Sequence, residues 1–303
     1  MMQHTIIELI DHIADGVVAL TLKGVDGPLA PWEPGAHVDV VLPNWLTRQY
    51  SLCGDSEDRD RYRVAVRHDP LSRGGSEYIN LFLQGGRRLE VSLPRNNFRL
   101  DPAPDYLFIA GGIGITPMLP MMHAAATSGA TATLVYVGKS RATMPFADDL
   151  RDRYGDQVFT FETARQIRPY FVSIAAILGP RTLVYCCGPE SMLADVENAF
   201  PAAQTHIERF QPAPKVFAPN TSFAVTCSRS QQTIEVSPDT SLLDALIYAG
   251  HPVGTGCREG VCGSCEVTVL DGDPEHRDDI GAPPGRMYAC VSRARSPRLV
   301  LDL

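Results

Sequence analysis

Cys257-Arg258-Glu259-Gly260-Val261-Cys262-Gly263-Ser264-Cys265 places three thiols in one short loop with the spacing C-x4-C-x2-C, and Cys290 follows on a separate element. This is the plant-type spacing for a [2Fe–2S] cluster. Two sulfide-bridged irons need four thiolates converging on a small unit. Three can wrap around it from one tight loop, and the fourth has to come from elsewhere. Gly256, Gly260 and Gly263 let the loop fold closely and aim backbone amides at the sulfurs, which helps set the reduction potential. Zinc sites favour C-x2-C pairs, and core cysteines seldom fall at this three-point spacing. Cys53, Cys186, Cys187 and Cys227 are scattered. Clustering of the other four argues for metal binding and against a disulfide framework. Cys53, Cys186 and Cys227 read as structural, and the eight histidines show no metal-ligand pairing.

Outward from this loop, Ser222–Cys227 and Thr233–Val236 predict a hairpin. Ser241–Ala249 has helical spacing, with Leu242, Leu243, Leu246 and Ile247 on one face. Glu266–Leu270 and Arg298–Leu301 read as further strands. Towards the N-terminus, the proline-rich stretch over 212–220 predicts a linker. Before it, apolar strand-like runs alternate with helical stretches. Tyr106–Ala110, Thr133–Val137, Val158–Phe161 and Leu183–Cys187 are the strands, with helices through Ala126 and over Pro145–Tyr154. That alternation predicts a parallel α/β sheet. The texture changes at Asp101-Pro102-Ala103-Pro104. Upstream, Val17–Leu22, His37–Leu42, Tyr62–Arg67 and Arg88–Leu93 are short strands between Gly, Pro and Asp turns, the pattern of an antiparallel β-barrel.

The bulk properties agree with a multidomain globular protein. The chain has 303 residues, 44% hydrophobic and 20% charged, which predicts two or three domains. No run approaches the roughly 20 apolar residues of a membrane span. Met1–Ile10 lacks the basic start and apolar core of a signal peptide, so a cytoplasmic protein is expected. A net charge of −8 argues against general nucleic-acid binding and suits a partner with a basic docking patch.

Two further stretches carry ligand chemistry. Arg48-Gln49-Tyr50-Ser51-Leu52 lies at a strand in the predicted barrel, and Arg73-Gly74-Gly75-Ser76 opens a helix whose amides suit a phosphate. Arg48 adds a charge-assisted contact to the same group; Tyr50 packs on a planar ring and Ser51 hydrogen-bonds it. Gly111-Gly112-Ile113-Gly114-Ile115-Thr116-Pro117 follows a buried strand and begins a helix, where a pyrophosphate sits in dinucleotide folds. It departs from the ordinary G-x-G-x-x-G fingerprint. Cys187-Gly188-Pro189-Glu190-Ser191-Met192 ends another buried strand, at the ligand-binding edge of a parallel sheet.

These motifs, in this order, resemble the phthalate dioxygenase reductase family, which includes vanillate demethylase reductases and related partners of Rieske oxygenases. The resemblance runs to Cys290-Val291-Ser292-Arg293-Ala294. It implies an FMN-binding β-barrel over 1–101, an NADH-binding α/β domain over 102–211, a linker over 212–220 and a β-grasp [2Fe–2S] ferredoxin domain over 221–303. By position, Arg48, Gln49, Tyr50, Ser51, Val66, Arg67, Gly74, Gly75 and Ser76 fall on the flavin side. Gly112, Thr116, Cys187, Gly188 and Met192 fall on the nicotinamide side, with Ser51, Thr116 and Cys187 positioning the reacting rings. Phe210 resembles an aromatic beside the flavin, and Cys257, Cys262, Cys265 and Cys290 match the cluster ligands. Lys139-Ser140-Arg141 suits the 2′-phosphate of NADPH, whereas Glu162 would bind a ribose hydroxyl and repel that phosphate; the family's preference is NADH. The implied activity is hydride transfer from NADH to FMN, then single electrons through the cluster to a Rieske-type oxygenase. A P450 or ferric acceptor, or a non-enzymatic iron–sulfur subunit, are the alternatives.

Overall fold

The computed structural model describes residues 2–70, 74–213 and 215–303. Arg73 and Pro214, which belong to the predicted phosphate loop and linker, lie outside the described residues. The chain divides into two compact units, Met1–Glu208 and Arg209–Leu303.

The first unit opens with an antiparallel sheet. Its strands are β1 (Met2–Ala14), β2 (Val17–Gly24), β3 (His37–Val41), β4 (Thr47–Ser51), β5 (Arg61–Arg67) and β6 (Arg88–Ser92), with helix α1 (Gly75–Leu81) between the last two. The order is β4-β3-β6-β1-β2-β5. A bridge between Leu52 and Val64 brings the two outer strands together, which closes the barrel and removes its edges. Leu20, Leu22, Val38, Val40, Val64 and Val91 fill the interior and are wholly buried, each contributing about 1.5–3 kcal/mol. The long β1 was not anticipated. Its register shifts between Ile7 and Leu9 and again between His12 and Ala14. Each shift swaps the faces of the strand, so the period of two is broken in the sequence.

A parallel sheet follows in the same unit, built from β7 (Asp105–Gly111), α2 (Met118–Ser128), β8 (Thr131–Val137), α3 (Ala147–Tyr154), β9 (Val158–Phe161), α4 (Ala164–Ile177), β10 (Thr182–Cys187), α5 (Glu190–Ala199) and β11 (Thr205–Glu208). β7 reads as continuously apolar because both faces are covered. Phe108 and Ala110 pack into one cluster, and Leu107 and Ile109 into another, as expected for a strand with helices on both sides. The order β11-β10-β7-β8-β9 puts the topological switch between β7 and β10. The 101–104 stretch is pinned to the sheet: Tyr185 accepts the Asp101 N–H at 2.8 Å and donates to the Arg99 carbonyl at 3.0 Å. α4 was not anticipated, and Pro169 lies inside it.

The second unit holds β12 (Phe223–Cys227), β13 (Gln232–Val236), α6 (Leu242–Tyr248), β14 (Glu266–Asp271), β15 (Pro274–Glu275), β16 (Arg286–Tyr288), β17 (Arg293–Ala294) and β18 (Arg298–Leu301). Five strands form a mixed sheet in the order β13-β12-β18-β14-β16, with β12 and β18 parallel. Leu242, Leu243 and Leu246 of α6 are buried against it, but Ile247 is 40% exposed. The expected four-residue face is therefore three residues wide, because the helix has only seven residues and Ile247 lies in its last turn. This is the α+β ferredoxin architecture. Together the units make the multidomain fold of barrel, parallel-sheet domain and β-grasp domain.

Candidate functional site

Arg48 and the start of α1 meet. A Cβ on Gly75 would come within 2.6 Å of Arg48 Nε, so only glycine leaves the guanidinium its place. Gly74 caps the helix at φ 80°, and the Ser76 hydroxyl accepts the Asp69 N–H at 3.1 Å. A cation against a small-residue turn is a fit for a phosphate. Nearby on β4, burial holds the Tyr50 phenol well above its ordinary pKa. Ser51 is buried, and its Oγ has no hydrogen-bond partner among the described residues. An unpartnered buried hydroxyl costs free energy unless a ligand or water satisfies it. Gln49 is committed elsewhere, donating to Asp39 at 2.7 Å in a network that includes Arg95. Val66 belongs to the barrel core.

The second cluster lies at the switch between β7 and β10. A Cβ on Gly114 would sit 2.3 Å from the Cys187 carbonyl oxygen, and one on Gly188 would sit 3.0 Å from the Gly111 backbone and 2.5 Å from Met192 Cε. The two loops therefore touch backbone to backbone. Thr116 is buried and donates to the Ile113 carbonyl at 3.0 Å. Tyr136, which carries no motif of its own, donates from its phenol towards the carbonyls of Gly112 and Pro145, each at 3.2 Å. Arg67, at the end of β5, brings the barrel to this loop: its Nη1 lies 3.5 Å from where a Gly112 Cβ would be.

Cys187 and Glu208 are cross-strand neighbours on β10 and β11. Burial, with the Glu208 carboxyl beside it, pushes the Cys187 thiol well above its ordinary pKa. Burial also raises Glu208 to about 8, opposed by the hydrogen bond from Cys187. One Glu208 oxygen is buried without a partner among the described residues. Both groups are thus neutral near pH 7, which suits packing against a ring and not thiolate chemistry. Glu208 was missed because the Glu208-Arg209-Phe210 stretch drew attention only for its aromatic ring. Phe210 itself belongs to the second unit, where it is 41% exposed.

Of the two nucleotide-selecting stretches, Ser140 and Thr143 form a capping box, and Arg141 ion-pairs with Asp148. Arg141 Nη1, by contrast, is buried without a hydrogen-bond partner among the described residues. Glu162 follows the edge strand β9 with its side chain exposed.

In the second unit the four thiols interact. Cys257 accepts hydrogen bonds from Cys262 and Cys290, which lowers its pKa, and Cys265 is lowered in the same way by Cys290. The donors Cys262 and Cys290 are correspondingly raised. Backbone amides point at sulfur: Glu259 N–H to Cys257 Sγ and Cys257 N–H to Cys262 Sγ, both at 3.3 Å. Ser264 Oγ lies 3.2 Å from Cys262 Sγ. Gly260 and Gly263 have φ of 75° and 78°, and Arg258 shares that region at 63°. Gly256 is not in it, so the expected need for glycine holds at two positions of the three. No three described His, Cys, Asp or Glu side chains are arranged about a single ion; four thiols contacting in pairs suit a unit larger than one ion. Cys257, Cys262 and Cys265 are buried and Cys290 partly so.

Residues 225–295 match the family described as 2Fe-2S iron-sulfur cluster binding domain. The chain is 39% identical to phenoxybenzoate dioxygenase subunit beta of Ectopseudomonas oleovorans, over 98% of this chain and 96% of that one. It is 36% identical to phthalate dioxygenase reductase of Burkholderia cepacia, over 97% and 95%. The solved phthalate dioxygenase reductase, described as a modular structure for electron transfer from pyridine nucleotides to [2Fe–2S], superposes with a TM-score of 0.73 at 35% identity, over 100% of this chain and 98% of that one. An intact type IV self-sufficient cytochrome P450 monooxygenase superposes with a TM-score of 0.91 at 37% identity. All of this chain is covered there, but it spans only 41% of the P450 chain. Fold and thiol loop together define an iron–sulfur oxidoreductase of the electron-transfer reductase type. The chain belongs to the phthalate dioxygenase reductase family. Its cofactors are FMN, NADH and a [2Fe–2S] cluster.

Proposed function

We propose that the protein is the reductase component of an oxygenase system, drawing on NADH and delivering single electrons to a Rieske-type oxygenase. The observation that carries this is the meeting of Arg67, from the barrel, with Gly112 at the switch point of the parallel sheet. It supports reading the two clusters as adjoining flavin and nicotinamide half-sites in a chain that also holds the four-thiol loop. When bound, FMN accepts hydride from the nicotinamide and the [2Fe–2S] cluster passes the electrons on one at a time.

The protein's own part is placement. Arg48 with Gly74, Gly75 and Ser76 holds the FMN phosphate, Tyr50 covers a ring face, and the unpartnered Ser51 hydroxyl bonds the ring edge. Gly112, Gly188 and Met192 keep the nucleotide loops thin enough for the dinucleotide to approach. Thr116 and Cys187 orient the nicotinamide, with Glu208 beside Cys187 as a neutral polar group. Glu162, two strands from β7 and so about 10 Å away, meets the adenosine ribose. Residues 1–101, 102–211 and 221–303 act as flavin, nucleotide and cluster modules, and Cys257, Cys262, Cys265 and Cys290 ligate the irons.

The test is Cys262→Ser. Electron delivery to the oxygenase should be lost while NADH-driven reduction of an artificial dye persists. Loss of both would overturn the modular scheme, and a wild-type protein with both cofactors that fails to oxidise NADH would favour a non-enzymatic subunit. The similarity to part of a self-sufficient P450 monooxygenase chain supports a second reading, a haem-containing acceptor. Faster cluster reoxidation by a P450 than by a Rieske protein would favour it.

A further inference from the structure

The proline-rich stretch before the ferredoxin unit is not a free tether. The Ala213 N–H donates to Asp279 Oδ2 at 2.8 Å, and Lys215 Nζ donates to the Asp278 carbonyl at 2.7 Å and ion-pairs with Asp279. Two residues on, the Phe217 ring lies under the Arg277 guanidinium, 4.6 Å from it. Asn220 accepts from Arg277 Nη1 at 2.8 Å and donates to the Pro238 carbonyl at 2.8 Å. Four positions across the stretch are therefore fastened to their own unit, all of them to the segment 277–279.

The other side of that segment carries the thiol loop. The Asp279 N–H donates to the Gly260 carbonyl at 3.1 Å. Gly260 stands between Cys257 and Cys262, and a Cβ on it would fall 3.0 Å from Asp278 Cα and 2.7 Å from a Val291 methyl. Asp279 thus faces both ways, with its carboxylate on the strap and its backbone on the loop. Its side chain is only 8% exposed. A carboxylate this buried needs its cation and its amide donor, and losing them leaves a charge that the segment can satisfy only by moving.

We propose that Ala213, Lys215 and Phe217 form a strap that positions the thiol loop, with Asp279 the positioning residue through which it acts on Gly260. The strap holds Gly260 in place and thereby fixes the direction of the neighbouring amides, including Glu259 N–H towards Cys257 Sγ. Such hydrogen bonds tune the cluster. This rests on the four cysteines being the cluster ligands.

The experiment uses the full-length holoprotein and compares wild type with Lys215→Met, Lys215→Arg and Asp279→Asn. Arg229→Met, which breaks the exposed Arg229–Asp302 pair of the same unit, serves as the control. Cluster midpoint potential and EPR g-values are read by redox titration, and amide exchange is followed over residues 258–263. Lys215→Met and Asp279→Asn should shift the potential, alter the g-anisotropy and speed exchange several-fold. Lys215→Arg should restore all three, and Arg229→Met should leave them unchanged. Values indistinguishable from wild type in Lys215→Met, a partly exposed position whose loss leaves the core intact, would overturn the proposal. Equal effects from Arg229→Met would do the same, since any lost ion pair would then suffice. Wild-type protein without iron and sulfide would sink the ligand assignment instead, and the exchange measurement would still decide for or against the strap.

Discussion

Ser51 and Glu208 each bury an oxygen that no described residue satisfies, a cost that a ligand or water would offset. Glu208 also leaves a measurable trace on stability. Its pKa rises from 4.5 to about 8 in the folded protein through burial. In the unfolded chain it ionises above 4.5, while the folded chain keeps the proton until about 8. The native state therefore binds more protons across that window, and stability falls as pH rises through it. Glu208→Gln should flatten this decline. The difference in thermal midpoint between variant and wild type should grow from about pH 5 to about pH 8, and a constant difference would refute the raised pKa. Under the proposed function, donor choice also turns on single residues. On the proposed assignment, the exposed Glu162 meets the 2′ position of the ribose. Glu162→Ser should improve kcat/KM for NADPH relative to NADH by about tenfold or more, since a like charge facing a phosphate costs several kcal/mol. An unchanged ratio in steady-state assays would move selectivity elsewhere.

At the scale of elements, the two glycine loops behave as one part. Gly114→Ala would drive a methyl into the Cys187 carbonyl, where backbone cannot yield as a flexible side chain can. The variant should lose about 1–3 kcal/mol of stability and bind NADH more weakly, measurable by denaturant titration and by ligand titration. Wild-type values in both would mean the loops separate freely. The same loops were legible in the sequence because their strands are buried on both faces: Tyr106–Ala110 and Leu183–Cys187 are apolar without interruption, and glycines end them. β1 was not, since its bulges break the alternation that marks a strand. α4 was hidden by Pro169, which reads as a helix breaker although the helix passes through it. The thiol loop was legible as chemistry because its spacing is set by the cluster's size. Its support was not: Asp279 lies far from Gly260 in sequence, and Glu208 gains its character only from the neighbouring strand that buries it. Burial and cross-strand pairing are properties of the fold, with no local signature.

At the scale of the molecule, the distribution of cores predicts how the chain comes apart. The barrel and parallel sheet have cores of their own, yet Phe98, just after the barrel, packs edge-on against Tyr185 of the sheet at 5.4 Å, and both belong to Met1–Glu208. The cluster core is built from described residues between Phe223 and Leu303. Unfolding should therefore proceed in two calorimetric transitions, one for Met1–Glu208 and one for Arg209–Leu303; a single transition that persists across pH and salt would contradict this. The second unit, close to 100 residues, is large enough to bury a core alone, and bound metal adds to its stability. A fragment beginning at Arg209 should fold and give the EPR signal of a reduced [2Fe–2S] centre. One beginning at Thr221 keeps the core but lacks Ala213 and Lys215, leaving the Asp279 carboxylate buried without its cation. It should melt lower and lose iron faster to a chelator. Equal melting and equal iron loss for the two fragments would mean that the strap contributes nothing to the unit it crosses.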